Sequence, residues 1–200
     1  NSAIEKLTLK RGSAFHGGGI FMYNSSPILH DIIVRDNFSN EGGGFHLMNS
    51  NPSLSNVVIN NNSSLSYGGG MLLSSSNPIF SSDELCSIYL NSSFNGTFPD
   101  SLRSAGSDLY ARDIESLAEV VLDTFTVVEP TEYYAAPLNS FNFNIQHGLV
   151  DLVSSDLYVS PDGNNNNTGL SIDSPIQTID YALSILVSDS LNPHTIFLSN

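Results

Sequence analysis

The stretch LHDIIVRDNFSNEGGGFHL, Leu29 to Leu47, decides the fold. It holds three short strand-like pieces separated by Asp, Asn and a glycine triplet, and its parts recur along the chain. Glycine triplets begin at Gly17, Gly42 and Gly68, and Ser26-Pro27, Asn51-Pro52 and Asn77-Pro78 follow them, so both markers repeat after 25 and then 26 residues. Two markers with one spacing establish an internal repeat, and a fixed period of this size points to a solenoid.

The apolar positions keep the same register. Stepping back from Leu29, Ile32 and Val34 by one period lands on Ile4, Leu7 and Leu9, and stepping forward lands on Leu54, Val57 and Ile59. The pairs Ile20/Met22, Phe45/Leu47 and Met71/Leu73 superimpose after each triplet with the two-residue spacing of a strand. A unit of this length with strand-like pieces, Gly and Pro at its corners and no helical pattern predicts an all-β parallel solenoid, with equivalent residues stacked about 4.8 Å apart. The expected inward ladders are Leu29 with Leu54, Ile32 with Val57, and Val34 with Ile59. Each buried side chain contributes roughly 1.5–3 kcal/mol, so several coils must stack before any is stable. Asp31 aligns with Asn56, Asp36 with Asn61 and Asn37 with Asn62, which predicts side-chain ladders at tight corners, because Asn and Asp tolerate left-handed backbone angles.

Composition bounds the function. The 200 residues carry six Lys+Arg against twenty Asp+Glu, a net charge of -14, which disfavours nucleic acid and anionic membrane surfaces as partners. No apolar run is long enough to span a bilayer, so no membrane insertion by this region is expected. The one cysteine, Cys86, cannot form an internal disulfide and belongs to no CxxC or Cys/His cluster, and it reads as a small buried hydrophobe. The N-terminus lacks a signal-peptide pattern and the C-terminal Thr195-Ile196-Phe197-Leu198 reads as a strand just begun, so the chain is expected to be part of something longer, with further β-helix coils as partners.

Asn37-Phe38-Ser39-Asn40-Glu41-Gly42-Gly43-Gly44-Phe45 and Gly17-Gly18-Gly19-Ile20 resemble the FxxN and GGxI repeats of polymorphic outer-membrane proteins and related β-helices. The resemblance covers about the first 85 residues and implies a right-handed, pectate-lyase-like superfold, whose members include polysaccharide lyases, glycoside hydrolases and non-catalytic adhesins. The handedness also accords with the rule for parallel crossovers.

Beyond Phe80 the register loosens. Ser87 to Leu90 and Gly106 to Ala111 are expected to form one or two irregular terminal coils to about Asp123, Val120 to Val128 is the strongest β run outside the repeats, and residues 124–155 are expected to form a cap or linker. Ser174 is expected to cap a short amphipathic helix near residues 175–187, with Pro175 at its first position and Ile176, Ile179, Leu183 and Leu186 on its apolar face. Leu157-Tyr158-Val159-Ser160-Pro161-Asp162-Gly163 with this helix resembles the YVSPxGxDxNxG entry motif of secreted right-handed β-helices, with Tyr158, Ser160, Pro161, Gly163, Gly169, Pro175, Thr178, Ile179 and Ala182 at matching positions. Residues 156–200 are thereby expected to begin a second β-helix domain.

Enzymes on this superfold use clustered carboxylates, or calcium with a basic residue, in a groove along one face. The candidate catalytic residues are Asp31, Asp36 and Arg35, with His16, His30, His46 and Glu41 also in the repeats, yet the neighbouring coils carry asparagine where a carboxylate ladder would need acids. His16, Glu41 and Tyr67 precede equivalent triplets and are expected to form a solvated rim. Asp162 with the asparagines after it is the one calcium candidate, set against a plain turn; no other cofactor is expected. The reading is a non-catalytic structural and recognition segment of a secreted or cell-surface protein, in contact with a polysaccharide or cell-surface glycan. The alternative is a carbohydrate-active enzyme whose catalytic coils lie outside these residues.

Overall fold

The computed structural model describes residues 2–94, 106–187 and 191–199. The part of the expected irregular coils that falls on residues 95–105 lies outside them. Contacts divide the chain into two compact units, Asn1–Leu149 and Val150–Asn200.

The first unit is a parallel β-solenoid of about five turns. Its first two coils run through β1 (Ala3–Lys10), β2 (Ser13–His16), β3 (Ile20–Tyr23), β4 (Ile28–Arg35), β5 (Phe38–Glu41) and β6 (Phe45–Met48). The third coil holds β7 (Ser53–Asn60), β8 (Ser63–Ser64) and β9 (Met71–Ser74). In the fourth, β10 (Ile79–Phe80), β11 (Cys86–Tyr89), β12 (Ser92–Ser93) and β13 (Leu109–Arg112) follow, and β14 (Ala118–Phe125), β15 (Ala135–Ala136) and β16 (Phe141–Gly148) complete the stack. These strands form three sheets, ordered β1-β4-β7-β11-β14-β16, β2-β5-β8-β12 and β3-β6-β9-β13-β15, with β10 also on β7.

The pairing puts Leu29 beside Leu54, Ile32 beside Val57 and Val34 beside Ile59, all buried. The fourth coil departs from the period because β10 pairs with the start of β7 and β11 with its end, so the intervening residues leave the sheet before returning to register. Residues 124–149 also differ from the expected cap or linker. Phe141, Phe143 and Ile145 of β16 stack on Ala118, Val120 and Leu122 of β14, so this segment is a coil of the solenoid without a glycine triplet to mark it.

The first four coils turn on residues with left-handed backbone, and these stack in columns. Lys6, Asp31 and Asn56 form one, Arg11, Asp36, Asn61 and Leu90 a second, Gly17, Gly42, Gly68 and Gly106 a third, and Asn24, Asn49, Ser75 and Asp113 a fourth, all with φ between 48° and 67°. Asn, Asp and Gly dominate these columns because positive φ costs them least.

A buried polar ladder runs up one inner corner. Asn37 Nδ2 donates to Asn62 Oδ1 at 2.9 Å, Asn62 Nδ2 to Asn91 Oδ1 at 3.0 Å, and Asn91 Nδ2 to Asp108 Oδ1 at 2.9 Å. The same oxygens accept from the backbone N–H of Asn37, Asn62 and Asn91. Each amide also donates to a backbone carbonyl, of Leu9, Val34 and Ile59 in turn. Every polar atom of Asn62 thus has a partner, which is the condition under which a buried amide stabilises rather than costs.

The second unit pairs β17 (Leu157–Val159) in parallel with β18 (Ile196–Leu198) and packs α1 (Ile179–Ile185) against β17 through a core of Leu157, Val159, Ile176, Ala182 and Ile185. The helix starts a turn later than expected. Ser160 N donates to Ile176 O and Ile176 N to Tyr158 O, which holds Pro175–Gln177 extended, so Thr178 rather than Ser174 is the cap, accepting from Tyr181 N. Ile176 is buried through this bridge, whereas Ile179 and Leu183, assigned to the apolar face, are exposed.

Candidate functional site

The third column of positive φ shapes the site. Alternation along β6 directs Phe45 and Leu47 inward and His46 outward, yet His46 is fully buried, as is Leu72, its neighbour in β9. The left-handed glycine ahead of each of these strands folds the outer face back on itself, so side chains preceding the triplet meet side chains following it. Only glycine serves there: a Cβ on Gly42 would collide with the Phe45 carbonyl.

Six residues from the first four coils converge in this re-entrant corner. His16 pairs in register with Glu41, and its Nδ1 lies 3.4 Å from Glu41 Oε2. The His16 and His46 rings sit 4.9 Å apart and perpendicular, with Phe21 packed against both. Arg112, at the end of β13, donates from both terminal nitrogens to the two Glu41 oxygens at 3.2 Å and from Nε to Ser74 Oγ at 2.8 Å. Ser74 Oγ also lies 3.3 Å from His46 Nε2. Farther along the corner, the Tyr67 and Tyr110 rings lie 4.3 Å apart, tilted by 34°. Burial pushes the Tyr110 phenol up, with Tyr67 adding to that direction.

The electrostatics follow from this packing. Burial lowers His46 to about 4, with the His16 charge acting in the same direction, so its imidazole is neutral at physiological pH. Burial alone would raise the Glu41 carboxyl, but the hydrogen bonds and charge of Arg112, with His46 and His16 adding, hold it below its ordinary value. The corner therefore offers two imidazoles and an oriented carboxylate. His16 and Glu41 do precede equivalent triplets with Tyr67, but the solvated rim expected of them is a packed cluster, with His46 at its base.

The other candidates lie elsewhere. Asp31 and Asp36 occupy left-handed corners; Asp31 accepts from Asn56 Nδ2 at 2.6 Å, and Asp36 pairs with Arg35 at 2.7 Å on the surface. His30 bridges Asp31 and Glu84 at 3.5 and 3.2 Å. Near Asp162 the amide oxygens are used by backbone: Asn164 Oδ1 accepts from Asn166 N, and Asn165 Oδ1 from Gln177 N and Thr178 N. Cys86 is buried, which pushes its thiol up to about 11 and leaves it a poor nucleophile. No helix among the described residues is long and apolar enough to cross a membrane.

Asp108 was not singled out by sequence. It stands in register with Gly70, and its carboxyl turns inward to take the ladder position above Asn91. Burial raises it to about 7, against hydrogen bonds from Thr126 and Asn91 that favour the charged form. The signal was the replacement of a glycine triplet by Gly106-Ser107-Asp108.

Comparison of the chain with known family models, with curated proteins and with solved structures finds no match to any of them.

Proposed function

We propose that the chain is a non-catalytic recognition segment of a secreted or cell-surface protein, in which a right-handed, pectate-lyase-like β-helix serves as a stiff acidic rod that contacts glycans. The FxxN and GGxI resemblance of the first coils supports this reading, and the YVSPxGxDxNxG resemblance of the second unit supports tandem β-helices. The observation that carries it is the pair of half-buried aromatic rings Tyr67 and Tyr110 on the third and fourth coils, beside the re-entrant corner. Flat apolar faces among hydroxyl and amide groups suit the C–H faces of sugar rings, and clustered surface aromatics mark interaction surfaces. The engagement of Asp31 and Asp36 in corner contacts favours recognition over hydrolysis, which needs two converging carboxylates.

The test is incubation with neutral and acidic polysaccharides, with and without calcium, following both retention and cleavage. The reading expects retention without cleavage, weaker on acidic polymers because of the net charge of -14, and loss of retention in Tyr67→Ala/Tyr110→Ala. Cleavage abolished by Asp31→Ala or Asp36→Ala would make the protein an enzyme and overturn it.

A further inference from the structure

We propose that His16, Glu41 and His46 form a binding site for one divalent transition-metal ion of the zinc class. Each offers a ligand atom, and the three atoms lie within 4.8 Å of one another. Tetrahedral zinc with ligands near 2.0–2.1 Å needs donor atoms about 3.3 Å apart, a closure that small side-chain rotations supply. The site draws on two adjacent coils, so only the stacked solenoid assembles it.

Three observations point to a ligand rather than to a packed rim. His46 Nδ1 is buried without a hydrogen-bond partner, a costly arrangement that a metal ion would satisfy, and the buried His16 Nδ1 faces Glu41 Oε2 at 3.4 Å without closing a hydrogen bond to it. Ser74 Oγ can accept from His46 Nε2–H as well as from Arg112, which leaves the His46 Nδ1 lone pair free and reproduces the usual arrangement in which a ligating imidazole donates its other N–H. Arg112 fixes the Glu41 carboxylate through both oxygens, while His16 stands at Oε2.

The chemistry selects the metal. Two imidazole nitrogens and one carboxylate suit zinc, cobalt or nickel, whereas calcium and magnesium prefer all-oxygen sites. His16 and Glu41 keep part of their surface in solvent, so a fourth position stays open to water. This inference stands apart from the glycan reading; either can fail alone.

The test is calorimetric titration of the full chain, stripped with a chelator, with zinc chloride and separately with calcium chloride, supported by the visible spectrum of added cobalt. The expected result is one zinc per chain, a tetrahedral cobalt spectrum, a raised melting temperature and no heat from calcium. His16→Ala and Glu41→Gln, with unchanged far-ultraviolet circular dichroism, are expected to weaken zinc by at least about 100-fold and Ser74→Ala by about 10-fold. His30→Ala removes the half-buried histidine beside Asp31 and Glu84 and is expected to leave binding unchanged. Absence of zinc heat at millimolar metal, or binding retained in folded His16→Ala and Glu41→Gln, would overturn the proposal. So would loss of binding in His30→Ala alone.

Discussion

Replacing Asp108 with asparagine keeps the shape of the side chain and its Oδ1 acceptor but removes its charge. Asp108 is fully buried, and its carboxyl rises from 3.8 to about 7 on folding. Because the folded value lies above the unfolded one, the native state holds a proton that the unfolded state has released. The contribution of Asp108 to stability is therefore full below about pH 3.8, declines as pH rises toward 7 and is flat above it. At ~1.4 kcal/mol per pH unit the interval corresponds to about 4 kcal/mol. Asp108→Asn carries no such proton, so its stability relative to the native protein should grow by about that amount between pH 4 and 8. Urea unfolding across this range, followed by tyrosine fluorescence since the chain has no tryptophan, reads the difference directly. Equal pH slopes in the two proteins would refute the argument, because the carboxyl would then not be held protonated by burial.

Two further substitutions test the coil architecture. Asn62→Ala removes the acceptor of Asn37 N and Nδ2 and a donor to Asn91 and Val34, and should cost at least about 3 kcal/mol in chemical denaturation. Leu90, exposed and at φ 53° in a column otherwise holding Arg11, Asp36 and Asn61, should gain about 0.5–1 kcal/mol on replacement by asparagine, seen as a higher melting temperature.

The solenoid was legible because burial imposes one period on independent features. Leu29, Ile32 and Val34 must lie over Leu54, Val57 and Ile59 for the core to close, and corner residues share that spacing. The final coil was harder to read because β16 carries only the Phe141, Phe143, Ile145 alternation, which a linker can also show. Ser174-Pro175 has the local chemistry of a helix start, but tertiary pairing of Ile176 with Val159 overrides it. The corner cluster was half legible. Sequence alignment joins His16 to Glu41, but His46 lies on the next strand, and only the left-handed Gly42 brings the two outer faces together. Asp108 was hidden for a related reason: it fills the amide ladder from a glycine position, so no alignment of like with like reveals it.

The most direct test of the whole account is a nuclear Overhauser measurement between the His16 and His46 rings, which are 4.9 Å apart yet belong to different coils. The parallel stack with its folded-back corner predicts cross-peaks between these rings, and from both to Phe21. Their absence in a protein with native β-structure would contradict the register of the coils and the site built on it.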